Sequence, residues 1–362
     1  MNSVSFFMGA NTPYGFYSLF NELYNPEEGW RAYIIKGGPG TGKSTLMKNI
    51  ARAAENNNYK VERIYCSSDP ESLDAIIIHE LKISVADGTS PHTIEPKYPG
   101  VCETIINFGD CWDKIKLDNN HNEIIKITKL NSSYHKQCVR FLKAAAIIEK
   151  EIISVISPIF NKEKADRFIE RLKNEIVIKT DNNGITKNRF LSALTPSGIT
   201  VNYNSIISLC NKTISLKDDY TVASDYIINN ICDILALNNI NTIRCLNPLN
   251  PERAEHIILP DSGICIFTSD SYHPSLENNN RNINCSRFYS KDKFNEIKNR
   301  VVFLKKAKQE FINEAISCLA NAKKSHDLLE SYYIAAMDFS KTSEIKNKII
   351  NEIVNVSRET SS

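Results

Sequence analysis

The segment Gly37-Gly38-Pro39-Gly40-Thr41-Gly42-Lys43-Ser44 satisfies G-x-x-x-x-G-K-[ST] at every constrained position. This spacing suits phosphate. A triphosphate needs several backbone N–H groups aimed at one point, and the glycines at 37, 40 and 42 let the chain curl tightly enough to present them. The N-terminus of a following helix adds unpaired donors and partial positive charge. Lys43 supplies a point charge for the β- and γ-phosphates, the Ser44 hydroxyl is the expected Mg²⁺ ligand, and Thr45 closes the motif. Gly38, Pro39 and Thr41 complete the expected nucleotide-binding stretch. A glycine-rich turn without a ligand would need neither Lys43 nor Ser44.

Such a magnesium site also needs a carboxylate at the end of a neighbouring strand. Asp87 ends the run Leu81-Lys82-Ile83-Ser84-Val85-Ala86 where it meets Gly88-Thr89. It is the candidate second Mg²⁺ ligand and, with Lys43, the candidate catalytic pair; the competing reading is a turn-starting Asp, since Asp-Gly is a common turn pair. His92, Glu95 and Glu103 are candidates to polarise water, against which stands an ordinary loop or surface role for each. No arginine stands out as a charge-stabilising finger, and Arg63, Arg140, Arg167, Arg281 and Arg287 are geometric options only. Hydrolysis without a finger is expected to be slow, roughly 10⁻⁴–10⁻² s⁻¹ by analogy with unassisted P-loop enzymes. Asn11, Thr12 and Tyr14 are options for contacting the base, with core packing the plainer role for the Tyr14 ring.

The elements that must position these residues are legible. Tyr33-Ile34-Ile35 reads as a buried strand leading into the loop, and Leu46, Ile50 and Ala54 recur at helical spacing after it. The chain then repeats itself. Phe7-Met8-Gly9-Ala10-Asn11-Thr12-Pro13-Tyr14-Gly15 lines up with Phe190-Leu191-Ser192-Ala193-Leu194-Thr195-Pro196-Ser197-Gly198 at an offset of 183. Each is an apolar run followed by a Thr-Pro-x-Gly turn. Asp69-Pro70-Glu71 matches Asn250-Pro251-Glu252 at an offset of 181, after strand candidates at 61–66 and 240–246. Residues 83–87 parallel 264–268, and Pro91-His92 parallels His273-Pro274. Both copies end in long apolar helical stripes, one through Cys138, Leu142 and Ile152 and the other through Ala315, Leu319 and Ala336. Shorter helices near 163–176 and 342–354 are placed to fold back on them as hairpins. The expected domains are residues 1–180 and 186–362.

The glycine loop has no second copy. Laying Lys217 on Lys36 sets Asp218–Asp225 over residues 37–44, which puts Ser224 over Lys43 and Asp225 over Ser44. Asp218 and Asp219 would each repel a phosphate charge at 4 Å by about 1 kcal/mol in water and up to about 4 kcal/mol at intermediate dielectric. Thr268 stands where Asp87 would. The second half is therefore expected to keep the fold and bind no nucleoside triphosphate.

The 362 residues, 42% of them hydrophobic and 24% charged, are enough for two cores. A net charge of +2 offers no global field for nucleic acid or an anionic membrane. The densest basic run, Lys305-Lys306-Ala307-Lys308, reads as a solvated helix face. There is no basic leader and no long apolar stretch, and ten scattered cysteines form no C-x-x-C pair. A reduced, cytoplasmic chain is expected, and the seven histidines show no metal-site spacing.

Taken together, Arg31-Ala32-Tyr33-Ile34-Ile35-Lys36 leading into the loop, Asp87-Gly88-Thr89-Ser90-Pro91-His92, Tyr98-Pro99-Gly100 and Ile105-Ile106-Asn107-Phe108-Gly109-Asp110-Cys111-Trp112-Asp113 resemble an uncharacterised bacterial family of tandem P-loop ATPase-like proteins. The resemblance covers nearly the whole chain. It implies nucleotide binding through Gly37, Gly40, Gly42, Lys43, Ser44 and Thr45, with Asp87 less firmly carried over, and relatives with a second intact P-loop, from which this chain departs. The expected fold is α/β: tandem P-loop NTPase-type domains, each a mostly parallel sheet flanked by helices and extended by a helical hairpin. The expected function is slow hydrolysis of Mg-ATP, or of GTP, driving a conformational change. One alternative is a small-molecule or nucleotide kinase with residues 122–179 as a lid carrying Lys162, Lys164, Arg167 and Arg171. The other is a nucleotide-gated scaffold without turnover. The helical stripe near Tyr332 and Tyr333 suits either intramolecular packing or a homodimer.

Overall fold

A computed structural model describes residues 4–177, 184–274 and 281–359. The expected boundary at residue 180 lies outside the described residues. The first half runs β1 (Val4–Phe6), β2 (Gly9–Thr12), β3 (Gly15–Ser18), β4 (Arg31–Lys36), α1 (Lys43–Asn56), β5 (Glu62–Tyr65), β6 (Leu73–Ile78), β7 (Ile83–Asp87), β8 (Glu103–Asn107), α2 (Lys114–Asp118), α3 (His121–Ile156) and α4 (Lys162–Ile176). The second runs β9 (Thr186–Arg189), β10 (Ser192–Thr195), β11 (Gly198–Val201), α5 (Tyr203–Leu209), β12 (Lys212–Lys217), α6 (Val222–Leu237), β13 (Thr242–Asn247), β14 (Asn250–Leu259), β15 (Ile264–Ser269), β16 (Arg281–Asn284), α7 (Lys291–Ala336) and α8 (Phe339–Glu359).

The sequence repeat is a structural repeat. Each half forms a six-stranded sheet, ordered β1-β5-β6-β7-β4-β8 in the first and β9-β13-β14-β15-β12-β16 in the second. In each, one strand (β6 or β14) runs against the other five. Both sheets are thus mixed and mostly parallel. The Thr-Pro-x-Gly segments close two-stranded ribbons, β2-β3 and β10-β11.

The two faces of each sheet are covered differently, and period-2 alternation sorts the side chains between them. On one face of the first sheet Tyr33, Ile35, Ile76, Ile78 and Val85 meet Leu46, Met47 and Ile50 of α1. On the other, Ile34, Ile64, Ala75, Ile77 and Ala86 share a core with Cys245, Leu246, Ile258, Cys265 and Phe267 of the second half. The longer helices cover one face; the ribbons, the short helix α5 and the opposite half cover the other. Phe7 N–H donates to Phe190 C=O and Phe190 N–H to Phe7 C=O, both at 2.9 Å. Equivalent residues of the repeat that exchange hydrogen bonds mark an approximate two-fold axis. Beside it Arg189 Nε donates to Glu62 Oε1 at 2.6 Å in a buried pair. Burial pushes the Glu62 carboxyl up, yet Arg189 and His79 hold it well below the carboxylate range.

The expected hairpins do not form: α3 packs along α7, and the shorter helices α4 and α8 leave the long ones to cover the opposite sheets. The 36-residue α3 and 46-residue α7 pack along each other through Cys138, Leu142 and Ala145 against Ile312, Ala315 and Leu319. At Ser157-Pro158 the chain turns into α4, whose Phe168, Ile169, Leu172 and Ile176 join Ile214, Leu216, Ile231 and Leu235 in the core of the second sheet. Reciprocally, Ile349 and Ile353 of α8 join Ile50, Val61, Ile76 and Ile78 of the first. Tyr33 Oη donates to Glu352 Oε1 at 2.9 Å across that contact. Each sheet takes one helix from the other half beside its own, and the length of α3 and α7 carries the chain past its own half.

Arm exchange and a shared core predict one cooperative unit. Leu172→Ala, which opens a cavity on the second sheet, is expected to cost about 2–5 kcal/mol and to shift a single denaturant transition of the whole chain. Two separable transitions, with only one moved, would contradict the exchange.

Candidate nucleotide site

β4 lies between β7 and β8, parallel to both, so three carboxyl ends stand side by side where the glycine loop leaves the sheet. Gly42 caps α1 with φ 86°, a left-handed conformation that glycine adopts without strain, and α1 begins at Lys43. The Lys43 ammonium donates to Gly37 C=O at 2.9 Å and Gly38 C=O at 2.6 Å, and its Nζ stands 3.5 Å from Asp87 Oδ2. The other Asp87 oxygen accepts from the N–H (2.9 Å) and hydroxyl of Thr89. Asp87 is thus both the start of a turn and the carboxylate facing Lys43. Ser44 Oγ accepts from Leu73 N–H at 3.0 Å, and Thr41 Oγ1 donates to Gly38 C=O at 3.0 Å. Pro39 is half-buried in the loop, and Thr45 is exposed on α1. The donor set fits a magnesium phosphate: an ammonium held by exchangeable carbonyls, a hydroxyl and a carboxylate at one sheet edge.

The strongest residue that sequence reasoning missed is Asp74, at the start of β6. Its Oδ2 lies 3.2 Å from His92 Nε2, and both side chains are buried. Burial raises the Asp74 carboxyl to about 6, with His92 and Lys43 pulling it down and Asp87 pushing it up. The 181 offset carried the signal, since it lines Asp74 with Glu255 as it lines His92 with His273. Of the other water-activating candidates, Glu95 is exposed and paired with Lys36 at 3.1 Å. Glu103 is buried at the opposite end of its strand, where it accepts from Tyr24 Oη, Lys97 N–H and Tyr98 N–H.

In the second half the loop is shorter. Four residues, 218–221, join β12 to α6, where six, 37–42, join β4 to α1. Val222 and Ala223 therefore open the helix, not the expected Ser224 and Asp225. Asp218 does more than repel phosphate: its carboxylate accepts from Ser224 N–H (2.8 Å), Tyr220 N–H (3.1 Å) and Tyr289 Oη (3.1 Å), filling its own loop. Glu255 Oε1 lies 2.8 Å from His256 Nε2 and 2.7 Å from His273 Nε2. Burial alone would lower His273, but Glu255 and Asp270 carry it up to about 10. Glu255, His256 and His273 have the proximity of a metal site. His256 Nδ1, however, accepts Thr268 N–H at 3.0 Å, which places its ring proton on Nε2 and removes the lone pair a metal would need.

The arm over the glycine loop belongs to the second half. Gly40 N–H donates to Glu330 Oε1 at 3.1 Å, and a Cβ on Gly40 would come within 2.8 Å of Ile334. Trp112 and Tyr333, 5.6 Å apart, flank Gly38, and Lys346 Nζ lies 3.1 Å from where a Gly42 Cβ would stand. The segment expected as a lid, with Lys162, Lys164, Arg167 and Arg171, lies on the second sheet instead. Arg63 is paired with Glu55, Arg281 with Glu175, and Arg287 lies over the Phe288 ring. Arg140 sits on α3. Thr12 Oγ1 closes the ribbon turn on Gly15 C=O, Asn11 reaches Leu194 C=O, and Tyr14 is exposed. None of these is brought to the loop.

Among the described residues no helix is long and apolar enough to cross a membrane. Comparison with family models, with curated proteins and with solved structures gave no match.

Asp74 gives the site a pH signature. Its folded value lies above the ordinary carboxyl value, so the stability of the protonated form is fully present below about pH 4 and lost as pH rises through about 6. Asp74→Asn, which cannot ionise, is expected to gain about 2–3 kcal/mol on wild type between pH 4 and pH 7, read by urea unfolding. Parallel pH profiles would contradict the buried carboxyl.

Proposed function

We propose that this chain binds one Mg-ATP, or GTP, in its first half and hydrolyses it slowly, with the second half nucleotide-silent. The observation that carries the reading is Lys43 facing Asp87 at the mouth of a complete glycine loop, with Ser44 beside Lys43 at the start of α1. Ser44 and Asp87 would hold Mg²⁺, which when bound neutralises charge on the β- and γ-phosphate oxygens. The loop N–H groups and Lys43 orient the phosphates. Asp74, poised to exchange a proton near pH 6 and steadied by His92, receives the proton of the attacking water. Silence of the second half follows from a shortened loop filled by Asp218.

The phosphotransferase reading draws less support, because the helical segment suited to be its lid covers the other half. A gated module without turnover is the second reading, favoured by the carboxylate already seated on Gly40 N–H.

Calorimetric titration of Mg-ATP is expected to give one site per chain, weakened about 100-fold in Lys43→Ala, the scale for losing a charge partner from a desolvated pair. Two sites, or binding indifferent to Lys43→Ala, would sink the proposal. Phosphate release that falls in Asp74→Asn while binding persists separates slow hydrolysis from the gated module.

A further inference from the structure

Two groups of the second half's arm face the phosphate loop, and both are out of place in a site that never meets an anion. Glu330 puts a carboxylate on Gly40 N–H, in the loop whose backbone donors serve phosphate. Lys346 is half-buried on α8 and reaches the start of α1 beside Gly42, yet it makes no hydrogen bond or ion pair among the described residues. Burial lowers its pKa, with no anion to oppose the effect. The positive end of the α1 dipole, which starts beside Gly42, is unfavourable to it as well. A desolvated ammonium kept there is a group waiting for negative charge.

The two-fold repeat shows that the reach of Glu330 is built into the arms. Glu149 of α3 precedes Glu330 by 181 residues, and Thr221 caps α6 in a left-handed conformation as Gly42 caps α1. Thr221 Oγ1 donates to Glu149 Oε1 at 3.1 Å. Each arm therefore carries a carboxylate to the loop of the other half. In the second half this carboxylate is paired with Lys308 and the loop is filled by Asp218. Only Glu330 meets a loop in which it can be replaced.

Resting on the nucleotide-site reading above, we propose that the α7–α8 arm is a lid responsive to a terminal phosphate. Glu330 stands in for phosphate in the nucleotide-free chain; a nucleoside triphosphate takes Gly40 N–H from it and pairs its terminal phosphate with Lys346. No covalent step is involved: one anion replaces another on the same donor, and Lys346 gains the partner it lacks. The site then distinguishes tri- from diphosphate through a residue of the opposite half, and occupancy of the first half is transmitted to the arm that spans both.

The test is equilibrium binding of fluorescent ATP and ADP analogues, with Mg²⁺, to the full chain as wild type, Lys346→Ala, Lys346→Arg, Glu330→Gln and Lys43→Ala. Lys346→Ala is expected to weaken the triphosphate about tenfold and leave the diphosphate near wild type, with Lys346→Arg restoring it. Glu330→Gln, which is nearly isosteric, is expected to tighten the triphosphate about tenfold by removing a competing charge. Should Lys346→Ala fail to fold, Lys346→Arg and Glu330→Gln still decide. Wild-type-like binding by Lys346→Ala and Glu330→Gln, with binding lost in Lys43→Ala, would overturn the lid and leave the nucleotide site standing. No binding by any protein, Glu330→Gln included, would overturn both.

Discussion

The exchange of helical arms is the constraint on which the rest of the molecule depends. Each sheet presents one apolar face to the opposite half and the other to helices, and its own helix, α1 or α6, covers only part of that second face. The missing cover comes from the other half, as α8 or α4. Burial at about 25 cal/mol per Å² of apolar surface then ties both arms and both sheets into one structure. The reciprocal Phe7–Phe190 hydrogen bonds and the buried Arg189–Glu62 pair fix the two halves at the axis. The exchange also brings residues of α7 and α8 to a loop some 290 positions away in sequence. A site on the first sheet is therefore walled by the second half.

The two loops solve one electrostatic problem in different ways. A strand running into a helix N-terminus leaves unpaired N–H groups and a partial positive charge. In the second half that demand is met within the loop, by Asp218 on Ser224 and Tyr220 N–H. The solution is buried and permanent. In the first half the carboxylates in place come from elsewhere: Lys43, which also donates to the loop's own carbonyls, faces Asp87, and Gly40 N–H donates to Glu330. Partners from other elements can exchange without unmaking the loop, and this separates the first loop from the second, which is filled from within.

The acid–histidine pairs behind the loops diverge in the same way. Asp74 faces His92, with Asp87 nearby, and stays poised near 6. Glu255 faces two histidines and Asp270 supports one of them, so the charges compensate internally and Glu255 is held well below the carboxylate range. Burial raises the Asp74 carboxyl, whereas Glu255 is charge-compensated within its own network.

By itself, the sequence determined what local chemistry dictates. The G-x-x-x-x-G-K-S spacing, its strand and helix, the repeat near 181, the Thr-Pro-x-Gly ribbons and the long helices with their shorter followers all rest on short-range rules of backbone geometry and apolar period. Asp87 was legible because it ends a strand, and Asp74 was present in the repeat though not conspicuous in the local pattern. Partnership across the axis was decided only by tertiary structure. An apolar stripe on α4 or α8 reads alike whether it covers its own sheet or the other, so period cannot say which half a helix serves. The length of the connection from β12 to α6 depended on where the helix begins, which a fixed offset misplaced by two residues. Glu330 and Lys346 carry no local signature at all, because their meaning lies in the loop they face, and long-range packing alone puts them there.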